Sequence, residues 1–158
     1  MKKLIKRREI PAGNPVSDNA LLDRLYRSRH IKNSQELDRT LQSMLNPNQL
    51  HGIQQAVDLL VEAYQQQQKI VIVGDFDADG ATSTALSVLA LRMLGFTDVE
   101  YLVPNRFEQG YGLSVPVAEM AMEKDVQLLM TVDNGVSSFE GVAYLKERGV
   151  KVLITDHH

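Results

Sequence analysis

The segment Lys69–Gly80, KIVIVGDFDADG, decides the fold. In its first half, Lys69–Val73, an unbroken run of isoleucine and valine follows the lysine, which predicts a strand buried on both faces. Such strands belong to parallel sheets that helices cover on both sides. Its second half places three aspartates at alternate positions before a glycine. The segment therefore predicts a buried parallel strand that ends in an acidic loop.

The same succession of strand, polar loop and helix continues to residue 158. The predicted elements are a helix over 82–94, a strand over 99–103, a helix over 114–124, a strand over 126–132, a helix over 137–148 and a strand over 150–155. Gly95 and Gly149 each follow a predicted helix, where glycine commonly ends the helix. Strands that alternate with helices of this length predict an α/β fold, a parallel sheet with crossover helices, preceded by a small helical N-terminal region.

Residues 1–66 predict an arm followed by three helices. The first seventeen residues are basic and then rich in Pro, Gly and Asn, which is typical of a loosely held arm. We expect the first helix to begin at Ser17 and the second near Asn33, where Asn33 and Glu36 resemble a capping box. The apolar stripes of the three helices are Leu21, Leu22, Leu25 and Tyr26; Leu37, Leu41 and Leu45; and Ile53, Val57, Leu60, Val61 and Tyr64.

The domain division that we expect is residues 1–66, an N-terminal arm with helices, and residues 67–158, the start of a second domain. The sequence stops directly after a core strand, so we expect a chain truncated at that point.

Composition excludes several classes of function. The 158 residues include 17 Lys and Arg and 20 Asp and Glu. The chain therefore has no overall excess of positive charge that would indicate nucleic-acid binding. A local basic cluster does occur at Lys2, Lys3, Lys6, Arg7 and Arg8. The absence of cysteine excludes disulfides, cysteine-bound zinc and thiol nucleophiles. Neither a membrane-spanning run nor a secretory signal is readable, so we expect a cytoplasmic protein without membrane association.

Polar residues follow each predicted strand at its carboxyl end, where parallel α/β sheets bind ligands. The loops would bring together five aspartates and two histidines: Asp75, Asp77, Asp79, Asp133, Asp156, His157 and His158. So many carboxylates would raise one another's pKa unless a divalent cation compensated them. Carboxylate with imidazole suits Mn²⁺, Mg²⁺, iron or Zn²⁺. The sequence therefore predicts a metal cluster, with room for two ions that activate water and hold a phosphoryl group.

Each motif also has a simpler interpretation. Asp75–Gly80 resembles the first half of an EF-hand loop, but the position that requires Glu is Leu86. Asp133-Asn134-Gly135 is a common turn tripeptide, and Asp156 could orient His157 without binding metal. The helix that begins at Gly80 could offer free N–H groups to phosphate, or the glycine could serve close packing. Arg106 is a phosphate ligand or a solvated side chain, and Tyr111 could stack on a base.

Four motifs in this order resemble those of the DHH phosphoesterase superfamily: GDFDADG at 74–80, VPNR at 103–106, TVDNG at 131–135 and TDHH at 155–158. The wider segments at 70–95 and 101–114 resemble the bacterial single-strand-specific exonucleases of that superfamily, and the similarity runs from about Leu21 to His158. The resemblance implies 5′-to-3′ hydrolysis of single-stranded DNA to mononucleotides by two-metal catalysis with Mn²⁺ or Mg²⁺. It also implies roles in recombination and repair, with a single-stranded-DNA-binding protein and a helicase as partners.

The resemblance also implies a role for each matching residue. Asp77, Asp79, Asp133 and His157 match metal ligands. Asp75, Asp156 and His158 match catalytic positions, His158 facing the scissile phosphate or the metal site. Asn105 and Arg106 match the second motif, near substrate, and Gly80 is a substrate-binding candidate from its place at the helix start. Many family members carry a histidine where this chain has Val73, so we expect one metal site to be weaker or differently built. The family also supplies a further aspartate and a second, substrate-gripping domain downstream, so we expect the 158 residues alone to be inactive.

Two other functions remain open at this point. The same chemistry could act on short oligonucleotides, cyclic dinucleotides or pyrophosphate. A non-catalytic α/β receiver or metal-binding module would need a lysine at the end of a late strand and no terminal histidine pair.

Overall fold

The computed structural model describes residue 6 and residues 9–158. The chain divides into two compact units, the first ending at Leu50 and the second comprising His51–His158. The third helix of the N-terminal region therefore belongs to the second unit. Most of the basic cluster lies at residues 1–5, 7 and 8, outside the described part of the chain.

The first unit contains one α-helix within its described residues, α1 at Ala20–Arg27. Its N-cap is Asn19, whose side chain accepts hydrogen bonds from Leu21 and Leu22, so the prediction of Ser17 was wrong by two residues. Ser17 Oγ instead accepts a bond from the Asn19 N–H, one step before the helix.

The second predicted helix is wrong. The described residues form short 3₁₀ turns there instead, at Ser34–Leu37, Leu41–Ser43 and Pro47–Gln49. Asn33 does accept a bond from the Glu36 N–H. The Asp38 side chain then accepts a bond from the Thr40 N–H, and the backbone at Asp38 is extended instead of helical. Leu41 and Leu45 are 86% and 78% exposed, so two of the three stripe residues gain no packing among the described residues that would stabilise a helix.

The second unit is an α/β domain. Its described residues form one four-stranded parallel sheet in the order β2-β1-β3-β4. The strands are β1 at Ile70–Gly74, β2 at Val99–Leu102, β3 at Leu128–Val132 and β4 at Lys151–Thr155; the helices are α2 at Ile53–Gln65, α3 at Ala78–Met93, α4 at Arg106–Gln109, α5 at Val115–Met122 and α6 at Phe139–Glu147. The predicted fold class is confirmed.

The core lies on both faces of the sheet. On one face Val71, Val73 and Leu129 pack with Val117 of α5 and Leu145 of α6. On the other, Ile70, Ile72 and Leu128 pack with residues of α2 and α3, including Ala63, Val88 and Leu91. All five residues of β1 are buried, which confirms the interpretation of KIVIV as a strand covered on both sides.

The acidic loop is shorter than the sequence predicts, because α3 begins at Ala78 rather than at residue 82. The Asp77 carboxylate accepts hydrogen bonds from the N–H groups of Asp79 and Gly80 and so caps the helix four residues early. The short helix α4 was not predicted; Asn105 caps it by accepting a bond from Phe107. Throughout the described ranges, every helix is too short or too polar to cross a membrane.

Candidate metal centre

The carboxyl ends of three neighbouring strands, β1, β3 and β4, supply the polar residues of the site. Because the strands are parallel and adjacent, the loops that follow them share one edge of the sheet. A cavity of about 430 Å³ at this edge is lined by Asp79, Asp133, Asp156 and His157, together with the Thr82–Ser83 turn of α3. The edge therefore collects residues that are far apart in sequence, as predicted.

Asp133, His157 and His158 form a close group of side chains of the kinds that can hold a metal ion. One ligand atom from each lies within 4.8 Å of the others, and no other such group occurs in the described residues. Asp133 Oδ1 is 2.8 Å from His157 Nε2, and the two imidazoles stack with ring centroids 4.6 Å apart. The Asp133 side chain is only 7% exposed, whereas His157 and His158 face solvent. One carboxylate and two imidazoles suit a divalent transition metal.

Asp156 organises the two histidines. Its side chain is 4% exposed and accepts bonds from the N–H groups of Val136, His157 and His158 and from the His158 ring, at 2.6–3.1 Å. Burial raises the pKa of Asp156, but these bonds outweigh it and lower the pKa to about 2. The bond to Asp156 in turn raises the pKa of His158. Asp156 thus fixes the His157 backbone and the His158 ring.

The low pKa of Asp156 predicts that its contribution to folding stability is lost in acid. Because the folded state releases this proton more readily than the unfolded chain, stability contributed by Asp156 is present above pH 4 and declines as the pH falls towards 2. We expect Asp156→Asn to lower the Tm of the metal-free protein at pH 5, and the difference from wild type to shrink towards pH 2. Melting curves in EDTA across this range measure it. Asp58→Asn, on the exposed surface of α2, is the control; a constant difference for Asp156→Asn would contradict the expectation.

Asp75, Asp77 and Asp79 lie at the same edge but outside the three-residue group. Asp75 is 8% exposed, and its carboxylate accepts a bond from the Phe76 N–H. Asp77 uses Oδ1 to cap α3, so one of its oxygens remains for other partners. Their proximity to the cluster is visible at Tyr111, whose pKa is raised by burial and then by the charges of Asp75, Asp156, Asp133 and Asp77. Asp133 and His157 lie together in this group, and the assignment of Asp77 and Asp79 to the same centre stays a prediction.

Gly80 does not present a free N–H group, so its predicted contact with phosphate is corrected. Its N–H donates to Asp77 Oδ1 at 3.0 Å, and a Cβ at this position would lie 2.3 Å from the Asp75 carbonyl oxygen. The glycine therefore permits α3 to pack directly against the loop after β1. This is the close-packing interpretation of the position.

Arg106 lies over the Phe76 ring, 3.7 Å from its centroid, and 5.7 Å from the centroid of Tyr111. Its guanidinium is also 3.8 Å from Asp75. Asn105, predicted to lie near substrate, caps α4 through Oδ1 and so holds the start of the helix that carries Arg106. The role of Phe76 was not predictable from the sequence, because an aromatic residue between two aspartates also suits an exposed loop.

The N-terminal domain model of the DHH family matches residues 69–158, more than half of the chain. The chain belongs to the DHH family. Membership confirms the resemblance in the four motifs, and it is incompatible with a receiver module.

The relatives of this DHH-family chain are longer proteins. It is 84% identical over 158 residues to the single-stranded-DNA-specific exonuclease RecJ of Haemophilus influenzae, which covers all of this chain and 28% of that protein. It is 51% identical over 156 residues to the RecJ of Escherichia coli, covering 98% of this chain and 27% of that protein. The chain thus spans little more than a quarter of the length of these relatives.

Solved structures of DHH-family exonucleases have the same fold. The crystal structure of an exonuclease RecJ bound to manganese is 40% identical, with a TM-score of 0.65 over 73% of this chain and 29% of that chain. RecJ of Thermus thermophilus in complex with Mn²⁺ is 35% identical, with a TM-score of 0.61 over 84% of this chain and 18% of that chain.

Proposed function

We propose that the protein is a single-stranded-DNA-specific exonuclease that hydrolyses phosphodiester bonds from the 5′ end, with two bound Mn²⁺ or Mg²⁺ ions. The observation that carries the proposal is the Asp133–His157–His158 group at the edge shared by β1, β3 and β4. The names of its relatives and the manganese in two structural neighbours support the same activity.

The donor set fits such ions, because carboxylate oxygens and imidazole nitrogens are ligands that Mn²⁺ accepts. We assign Asp77, Asp79, Asp133 and His157 as metal ligands. Bound divalent ions would supply an activated water and charge for the phosphoryl oxygens. His158 lies within ligand distance of Asp133 and His157 and is either a further ligand or the group that faces the scissile phosphate.

The remaining site residues position these groups. Asp156 holds the histidine backbone and the His158 ring through three hydrogen bonds, and it accepts a fourth from the Val136 N–H. Asp75 holds the start of the acidic loop and pairs with Arg106. The exposed edge of the Arg106 guanidinium is then available to a phosphate of the DNA strand, which guanidinium groups bind in bidentate geometry.

Arg106→Ala should weaken binding of single-stranded DNA and make it less dependent on salt. Loss of one phosphate contact lowers the slope of log affinity against log salt by about 0.7 for single strands. The measurement is a titration of labelled single-stranded DNA over a salt series, in a catalytically inactive background.

Arg148→Ala is a matched control for Arg106→Ala. Arg148 also lies over an aromatic ring, 3.5 Å from the Tyr144 centroid, and 3.9 Å from a carboxylate, with nearly the same exposure of 41% against 42%. It follows α6, at the opposite end of the sheet from the site. Equal salt slopes for the two variants would remove Arg106 from the DNA-binding surface.

The activity itself is tested on the full-length protein. We expect Mn²⁺-dependent release of mononucleotides from single-stranded DNA, progressing from the 5′ end, with little release from blunt duplex and none in EDTA. Digestion of DNA labelled at either end separates the two directions. Activity confined to dinucleotides, cyclic dinucleotides or pyrophosphate would replace the exonuclease proposal with another DHH phosphoesterase function.

We propose that residues 67–158 form the start of the catalytic domain and residues 1–66 an N-terminal region.

The proposal extends to the cellular context. We also propose a cytoplasmic role in recombination and repair with a single-stranded-DNA-binding protein and a helicase. Co-purification with these partners from cell extract, with and without nuclease digestion of DNA, tests direct association.

A further inference from the structure

Asn134 is a fully enclosed polar residue between the two strands that lead into the acidic loops. It is 1% exposed. Its Nδ2 donates to the Val73 carbonyl of β1 at 3.0 Å and to the Val132 carbonyl of β3 at 2.9 Å. One amide nitrogen therefore joins the carboxyl ends of two neighbouring strands.

These bonds lie where the backbone ladder between the strands stops. The β1–β3 register ends at the pair Gly74 and Val132. Beyond it, β1 continues into Asp75 and Asp77, and β3 continues into Asp133. The backbone at Asp133 is left-handed, with φ +61°, and Gly135 has φ +114°, which turns the Asn134 side chain back under the strand ends. The amide replaces the next rung of the ladder with a side-chain link.

The neighbouring strands are joined differently. The Asp133 N–H donates to the Thr155 carbonyl at 3.0 Å, so a backbone bond fixes β4 against β3 without the Asn134 amide. In the described part of the chain, Asn134 is the one side chain with hydrogen bonds to the carboxyl ends of both β1 and β3. Beyond the last pair of the β1–β3 register, this side chain therefore links the two strand ends.

We infer that Asn134 is a positioning residue that sets the distance between the Asp77–Asp79 segment and Asp133. The inference rests on the proposed metal-dependent function and deepens it. The donor chemistry of Asn134 supports the inference. Both hydrogen bonds use its Nδ2 group, whereas its Oδ1 has no hydrogen-bond partner in the structure. A residue of nearly the same shape without donors should fail to hold the two strand ends.

Asn134→Asp is that residue, since it keeps the shape and replaces the donors with oxygens that face two carbonyls. Asn134→Ser is the second variant, smaller and uncharged, which can donate to at most one carbonyl. Both are made in the full-length protein. Calorimetric titration with Mn²⁺ alone, in parallel with circular dichroism and melting, separates metal positioning from folding.

We expect Asn134→Asp to weaken Mn²⁺ affinity by about 10- to 100-fold, as loss of an outer partner of metal ligands does, and Asn134→Ser by less. On single-stranded DNA, kcat should fall while KM changes little, because Arg106 keeps its own contacts. If Asn134→Asp does not fold, the serine variant gives the comparison.

Thr131→Val is the matched control. Thr131 lies in the same strand end and is fully buried, and its hydroxyl group donates to no partner in the structure. We expect wild-type Mn²⁺ affinity for it. Folded Asn134 variants that bind Mn²⁺ within two-fold of wild type, or an equal loss in Thr131→Val, would overturn the inference and leave the proposed function standing. A wild-type protein that binds no Mn²⁺ would instead overturn the proposed function and the positioning role with it.

Discussion

Asp133→Asn should abolish nuclease activity and divalent-metal binding while leaving the protein folded. Asp133 is the buried carboxylate of the proposed metal centre, 2.8 Å from His157, and asparagine retains its size but not its charge. Asparagine also tolerates the left-handed backbone at this position, φ +61°, where alanine would add strain. Misplacement of a catalytic group by about 1 Å can cost about 100-fold in rate, and loss of a ligand should cost more. Mononucleotide release with saturating Mn²⁺ measures the effect.

Asp125→Asn is the matched control for Asp133→Asn. Asp125 also has a left-handed backbone, φ +56°, but it is exposed and lies in the turn between α5 and β3, at the opposite edge of the sheet. We expect it to retain full activity and a wild-type Tm. An Asp133→Asn enzyme with more than a tenth of wild-type activity would show that the cluster does not hold the catalytic metal.

Gly80→Ala should destabilise the domain severely, although alanine is normally the better helix residue. Inside a helix the exchange stabilises by about 1 kcal/mol. Here the new Cβ would lie 2.3–2.7 Å from three backbone atoms of Asp75, which cannot move without shifting the end of β1. Overpacking of this kind costs about 3 kcal/mol or more, which exceeds the stabilisation gained from the helix propensity of alanine. We expect a fall in Tm of about 6–12 °C, or failure to fold, as measured by circular dichroism.

The control for this variant is Gly149→Ala, which separates steric conflict from backbone strain. Gly149 has a left-handed φ of +78°, and a Cβ there would meet no atom within 4 Å. Strain alone costs about 1–2 kcal/mol. A Gly80→Ala protein that melts no lower than Gly149→Ala would show that α3 can move away from the loop, and that the close approach is not essential.

The strands and the edge that carries the site were predictable because their signals are local and repeated. KIVIV indicates burial on both faces, and polar residues follow every predicted strand. Parallel topology then brings Asp133 and His157 together without any knowledge of side-chain contacts. The assignment of Asp77 as a helix cap was within reach too, since aspartate followed by small residues is a common helix start.

The errors occurred where tertiary context decides the outcome. The spacing of Leu37, Leu41 and Leu45 predicts a helix, but two of these side chains remain exposed and the chain forms 3₁₀ turns. Gly80 has the same sequence signature whether it binds phosphate or permits packing, and only the position of Asp75 distinguishes the two. The roles of Phe76 and Asn134 depend on contacts across loops and strands, which periodicity does not encode.

The order of the strands also determines when the centre can form during synthesis. Asp77 is the first proposed ligand to be synthesised, and the proposed ligands on β3 and β4 follow as many as 80 residues later, at His157. At about 5–20 residues per second, the nascent chain holds an incomplete set of ligands for roughly 4–16 s. During that interval β1 can pair with β2, to which α3 connects it, while the side of β1 that pairs with β3 has no partner strand. A newly made chain can therefore bring these proposed ligands together only after β4 has joined the sheet.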